Sequence, residues 1–141
     1  KKNDLFATNT DLFLRVGDSL VCSTAAWLPE TGTLQTGAAF GDIDNDGDLD
    51  LFIAVDIRLG IPDAVTHWHS LLYRNDGTHF TDVSDWIQDA ATHHAGEPIF
   101  ADFDLDGDLD LFLTQRRWEP TPMLPNVYLV NDGSGRFAAA C

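Results

Sequence analysis

The chain has 141 residues, with 23 aspartates and glutamates against 8 lysines and arginines, and a formal net charge of −15. That balance argues against nucleic acid and anionic membrane surfaces as partners, since both require basic patches. No apolar run approaches the roughly 18 residues of a membrane helix, and the length is that of one ordinary domain with a real core.

The chain opens Lys1-Lys2-Asn3, without an initiator methionine or a visible signal peptide, and is expected to be processed, excised or part of a longer polypeptide. Six prolines, eleven glycines and four tryptophans fit many short strands separated by turns. In order, the first apolar run is Asp4-Leu5-Phe6-Ala7-Thr8. A hairpin pattern follows, Leu12 to Asp18 returning as Leu20 to Ser23. A strand from Gly37 to Gly41 then enters the most specific stretch of the sequence, Asp42-Ile43-Asp44-Asn45-Asp46-Gly47-Asp48-Leu49-Asp50, and leaves it as Leu51-Phe52-Ile53-Ala54-Val55. A second hairpin pattern, Leu71-Leu72-Tyr73-Arg74-Asn75-Asp76-Gly77, returns from His79 to Val83. The whole arrangement then recurs. Pro98 to Asp102 leads into Asp102-Phe103-Asp104-Leu105-Asp106-Gly107-Asp108-Leu109-Asp110, Leu111-Phe112-Leu113-Thr114 leaves it, and Val127 to Gly133 turns back through Arg136 to Ala140.

Carboxylates at positions 1, 3 and 5 of a tight loop, a carbonyl at 7 and a carboxylate at 9 can converge on one point, which suits a hard cation such as Ca²⁺. Gly47 and Gly107 can turn sharply without a Cβ penalty. Without a cation, the converging carboxylates would repel one another or take up protons. An EF-hand is excluded because position 12 is Ile53 or Leu113, not a bidentate Glu, and because a short apolar run of strand formers follows each loop.

Asn-Asp-Gly after each strand is a hairpin signal, read here as Asn and Gly accepting positive φ. Asp4 stands at position 9 of a third, incomplete loop. Each unit is expected to hold four antiparallel strands, and the chain eleven strands with the first missing. Repeats spaced 46 and 60 residues apart, with strands apolar on both faces, point to propeller-type blades. The expectation is thus an all-β chain of about two and three-quarter four-stranded blades, an incomplete propeller or open array: 1–30 a partial first blade, 31–88 a second and 89–141 a third.

Other candidates are weaker. Cys22 and Cys141 fall in outer strands of different blades, too far apart for an internal bridge, which leaves free thiols or a link between copies. His67, His69, His79, His93 and His94 lack a third ligand at recognisable zinc spacing. Trp27 and Trp86 match after consecutive fourth strands and are expected to pack between blades. Trp68 and Trp118 lie in long connections, where they could stack on sugars or anchor a protein. No nucleophile elbow, phosphate loop or catalytic triad is visible in the local sequence, so catalysis is not expected.

The loops, together with Ala39-Phe40-Gly41-Asp42, Tyr73-Arg74-Asn75-Asp76-Gly77 and Phe80-Thr81-Asp82-Val83, resemble the FG-GAP or VCBS repeat family of calcium-loop propellers, as in integrin α-chain heads and many bacterial surface proteins. The resemblance implies one Ca²⁺ per loop. The side-chain ligands would be Asp42, Asp44, Asp46 and Asp50 with the carbonyl of Asp48, then Asp102, Asp104, Asp106 and Asp110 with the carbonyl of Asp108. It implies a secreted or cell-surface adhesion and assembly scaffold. Further blades or other copies would complete it, to the point of a self-assembling filament subunit; the alternatives are a carbohydrate- or protein-binding head and a non-catalytic accessory module of a secreted enzyme. Fewer than four blades cannot close a ring, so the end faces are expected to be apolar association surfaces.

Overall fold

The computed structural model describes residues 5–7, 12–16, 18–22, 35–55, 70–87, 95–115 and 125–140. Among these the chain is all-β, with eleven strands in three antiparallel sheets and a single 3-10 turn, Ser84–Trp86. The first sheet is β1 (Leu5–Ala7), β2 (Leu12–Val16) and β3 (Ser19–Cys22). The second is β4 (Gln35–Gly41), β5 (Asp50–Val55), β6 (Leu71–Asn75) and β7 (Phe80–Asp82). The third is β8 (Ala95–Ala101), β9 (Asp110–Gln115), β10 (Val127–Asn131) and β11 (Phe137–Ala139). Each sheet is a meander in which consecutive strands are hydrogen-bonded neighbours. The described strands form no closed sheet.

The second and third sheets share one register. Gly41 pairs with Asp50 as Ala101 pairs with Asp110, and Phe52 pairs with Leu72 as Phe112 pairs with Tyr128. Both first strands shift register at the same place, between Gln35 and Gly37 and between Ala95 and Pro98. The shift lets Pro98, which has no N–H to donate, sit in a strand, because β8 is an edge.

Alternation along β5 and β6 creates two cores. Leu51, Ile53, Val55, Leu71 and Tyr73 face one way and are buried with Phe80 and with Leu12 of the first sheet. Phe52, Ala54 and Leu72 face the other way, against Leu111, Leu113, Leu129 and Phe137 of the third. Every residue of β5 is therefore buried, as expected of a strand apolar on both faces. Between these two sheets β4 crosses close over β8. A Cβ on Gly37 would lie 2.9 Å from the Gly96 carbonyl, and one on Gly41 would lie 2.9 Å from the Phe100 ring. The Thr36 hydroxyl donates to the Ala95 carbonyl at 2.7 Å and ties the two strands together. On the far side of the sheets, Ile87 bridges to Phe137, and Trp86 packs against the same core beneath the guanidinium groups of Arg74 and Arg136, at 5.9 and 5.1 Å. Trp86 thus packs between sheets as expected, while Trp27 lies outside the described residues.

The second and third sheets meet through opposite faces, since Leu111 and Leu129 are the repeat counterparts of Leu51 and Tyr73, which point away from the third sheet. By the same match Leu12 corresponds to Leu71, and both lie in one cluster. Among the described residues, the outer face of the third sheet is uncovered. Ile99 and Phe103 are each 48% exposed, and Phe112 and Tyr128 are half-buried around Phe103.

Phe52 and Phe112 hold the same repeat position but differ in burial, which separates packing from propensity. Phe52→Ala is expected to cost about 3–5 kcal/mol in denaturant unfolding. Phe112→Ala is expected to cost clearly less. Equal costs would mean that the outer face of the third sheet is covered in solution.

Candidate metal centre

Each acidic loop ends in an aspartate that opens a central strand and is wholly buried: Asp50 at the start of β5 and Asp110 at the start of β9. Asp50 accepts the Ile43 N–H on one oxygen and the Asn75 N–H on the other, both at 2.8 Å. Asp110 accepts the Phe103 N–H at 3.1 Å and the Asn131 N–H at 3.0 Å, and also the Tyr128 hydroxyl at 2.8 Å. One carboxylate thus fixes the start of its loop, its own strand and the end of the hairpin strand beside it.

The hairpin asparagines complete the arrangement. Asn75 donates its amide to the Leu49 carbonyl at 3.1 Å and accepts the Gly77 N–H at 2.9 Å. Asn131 donates to the Leu109 carbonyl at 3.1 Å and accepts the N–H groups of Gly133 and Gly135 at 3.1 and 3.0 Å. The expectation that these asparagines would take positive φ is corrected here. The glycines do so, with Gly77 and Gly133 both at φ 82°, whereas Asn75 and Asn131 end strands and act through buried side chains. The strand asparagines share the turn N–H groups with the aspartates that follow them: Asp76 accepts those of Thr78 and His79, both at 3.0 Å, and Asp132 that of Ser134 at 2.9 Å.

Within each loop the backbone folds around the remaining carboxylates. Asp42 accepts the Gly47 N–H at 3.0 Å, and Asp102 accepts the Gly107 N–H at 3.2 Å. Gly47 and Gly107 take φ of 95° and 102°, as the sharp turn demands, and Asn45 and Leu105 are left-handed at 59° and 64°. Oxygens of Asp42, Asp44 and Asp50 lie within 4.8 Å of one another in the first loop, as do those of Asp102, Asp104 and Asp106 in the second. Asp46 and Asp110 stand outside these close groups. Asp46 instead accepts the Asp48 N–H at 2.9 Å, and Asp110 is held by the three donors named above. The Asp48 and Asp108 side chains turn toward the hairpins: an oxygen of each lies 3.0 and 2.7 Å from where a Cβ on Gly77 or Gly133 would sit. Any contribution of these two residues to a cation is left to the main chain.

The groups fit a cation on one specific ground. Asp42 Oδ1, Asp44 Oδ1 and Asp102 Oδ1 are shielded from solvent and have no hydrogen-bond partner among the described residues. Buried carboxylate oxygens without partners are costly and rare, and an ion is one of the few things that satisfies them. An all-oxygen, all-carboxylate donor set selects a hard divalent cation over zinc or copper.

Charge at these sites is strained when no cation is present. Burial pushes the Asp50 carboxyl up to about 7, against the pull of the Ile43 and Asn75 N–H groups, and nearby Asp44 and Asp46 add to the rise. Burial likewise raises Asp44, reinforced by Asp46, and desolvation raises Asp104. The Tyr128 hydroxyl is pushed up to about 12, first by its hydrogen bond to Asp110.

Of the other candidates, Trp68, Trp118 and Cys141 lie outside the described residues, while Cys22 is exposed on β3. His79 is exposed in the hairpin turn, its Nδ1 3.1 Å from Asp76. The sequence reading missed Asn75, Asn131 and Tyr128 as supports of the loop. The available signal was that Asn recurs at one offset before each turn glycine.

Because the folded Asp50 carboxyl sits above its unfolded range of about 3.9, its contribution to stability is full below about pH 4 and is lost as pH rises toward 7. In chelator, the stability difference between wild type and Asp50→Asn is therefore expected to shrink or change sign between pH 4 and pH 7. A difference independent of pH would contradict a burial-driven shift. Gly133→Ala is expected to destabilise by roughly 1–2 kcal/mol from left-handed strain alone, and by more through collision with Asp108, as read by thermal melting.

No family model, no curated protein and no solved structure matches the chain.

Proposed function

We propose that the chain is a calcium-loaded module of blade-type repeats that serves as a binding and assembly scaffold outside the cell. The observation that carries calcium is the set of shielded carboxylate oxygens without hydrogen-bond partners, Asp42 Oδ1 and Asp44 Oδ1 in one loop and Asp102 Oδ1 in the other. The all-oxygen donor set supports a hard cation, and the net charge of −15 suits a compartment rich in calcium. When bound, calcium would neutralise the mutual repulsion of the loop carboxylates and satisfy their free oxygens. This chain's own residues do the rest. Asp50 and Asp110 hold loop to hairpin, Asn75 and Asn131 lock the turns, and the glycines at positive φ let the loop close.

Blade-type stacking is supported by the second and third sheets, which share register and pack opposite faces, and by the resemblance of the loop and turn motifs to FG-GAP and VCBS repeats. An assembly role is supported by the exposed Ile99 and Phe103 on the outer face of the third sheet. Apolar side chains gathered on one sheet face are a surface for association. The partners that fit are further repeats of the same kind or other copies of the chain.

Calcium at 100 times its Kd is expected to raise stability by about 2.7 kcal/mol per filled loop. Asp44→Ala and Asp102→Ala should each remove about half of the calcium-dependent gain in melting temperature. A melting curve unchanged between calcium and chelator would sink the calcium role.

A further inference from the structure

The two acidic loops are joined to each other by two asparagine side chains, one of which, Asn131, also locks the turn of its own unit. Asn45, at position 4 of the first loop, donates its amide to Asp108 Oδ1 in the second loop at 2.6 Å, across 63 residues of sequence. Asn131 of the second unit donates to the Ile43 carbonyl of the first loop at 2.8 Å, across 88 residues, and this bond is buried. The buried bond continues at both ends. Ile43 N–H is bonded to Asp50, and Asn131 N–H is bonded to Asp110. The two buried aspartates that anchor the loops are therefore linked through Ile43 and Asn131 alone.

The partner each link selects is informative. Asp108 is the residue whose main chain stands at position 7 of the second loop, and its side chain is fixed between Asn45 and the Gly133 turn. Asn45 lies between Asp44 and Asp46, at φ 59°, so the turn that gathers the first loop's carboxylates also aims this amide. Leu105 occupies the same position in the second loop at φ 64°, but it is 85% exposed and has no amide to donate. The exposed bridge thus runs one way, from the first loop to the second.

We infer that Asn45 and Asn131 are positioning residues that couple the two loops, so that a divalent cation in one favours a cation in the other. This presupposes cation binding by both loops. A bound ion orders its loop, and a loop already ordered through a shared hydrogen bond loses less conformational freedom when its own ion arrives. Coupling of this kind is reciprocal: whatever the first site gains from the second, the second gains from the first. Asn45 is the better point for testing, because it is exposed and its left-handed backbone accepts glycine without strain.

The test is calorimetric titration of the whole chain with Ca²⁺, arranged as a cycle. Asp106→Ala disables the second loop, and its effect on first-loop affinity is measured in the wild-type and Asn45→Gly backgrounds. Coupling predicts that Asp106→Ala weakens the first loop about fivefold in the wild type, within the usual range of such couplings, and less than about twofold with Asn45→Gly. Asp108→Ala, which breaks the same bridge from the other side and keeps the main-chain carbonyl, should reproduce the loss of cooperativity between the two binding steps. Equal effects of Asp106→Ala in both backgrounds, or two independent sites in the wild type, would overturn the coupling while leaving calcium binding intact. No binding heat and no bound calcium in the wild type would overturn both.

Discussion

A carboxylate with no exposure to water, placed where an acidic loop becomes a strand, is the constraint on which the described structure depends. Asp50 ties Ile43 to Asn75 and Asp110 ties Phe103 to Asn131, so the loop, the central strand and the hairpin are set by one side chain in each unit. Burying such a group is expensive, and its desolvation is only partly offset by the backbone N–H groups it accepts. Nearby Asp44 and Asp46 raise the cost further at Asp50 when no positive charge is present. A divalent cation, as proposed, would turn this liability into a support for the loops.

Packing extends the same units outward. The central strands are apolar on both faces because each is meant to lie between layers, and β5 achieves this with the first sheet on one side and the third on the other. Close passage of β4 over β8 fixes the spacing of the second and third sheets, since Gly37 and Gly41 leave no room for side chains there. β9 and β10 have the same two-faced composition but, among the described residues, one face without a cover, where the Phe103 ring packs against Phe112 and Tyr128. The equivalents of these residues in the second unit, Ile43, Phe52 and Leu72, are fully buried by the third sheet. The difference between a core and an association surface in this chain is therefore which neighbour is present, not which residues are.

Much of this was legible in the sequence. Alternating aspartates around a single glycine, strands apolar on both faces and turn glycines after Asn-Asp marked the sheets, their order and the loops correctly. The all-β class and the turning roles of Gly47, Gly77, Gly107 and Gly133 follow from local chemistry, which sequence displays directly. What was not legible depends on distance. Asp46 matches the ligand pattern as well as Asp42 and Asp44 do, and only the folded loop shows that it stands outside their close group and that the Asp48 side chain turns to the hairpin. Asn75 and Asn131 looked like turn residues because the bonds that define them run to other strands. The Asn45 bridge joins residues 63 apart and has no local signature at all.

The most direct measurement is the number of calcium ions held by the chain, read as mass by native mass spectrometry after exchange from millimolar calcium into volatile buffer. Two acidic loops with buried, unpartnered oxygens predict a dominant species carrying two ions, falling to one with Asp44→Ala or Asp102→Ala. A folded chain at the mass of bare polypeptide, or calcium adducts that the substitutions do not change, would contradict the account at its centre.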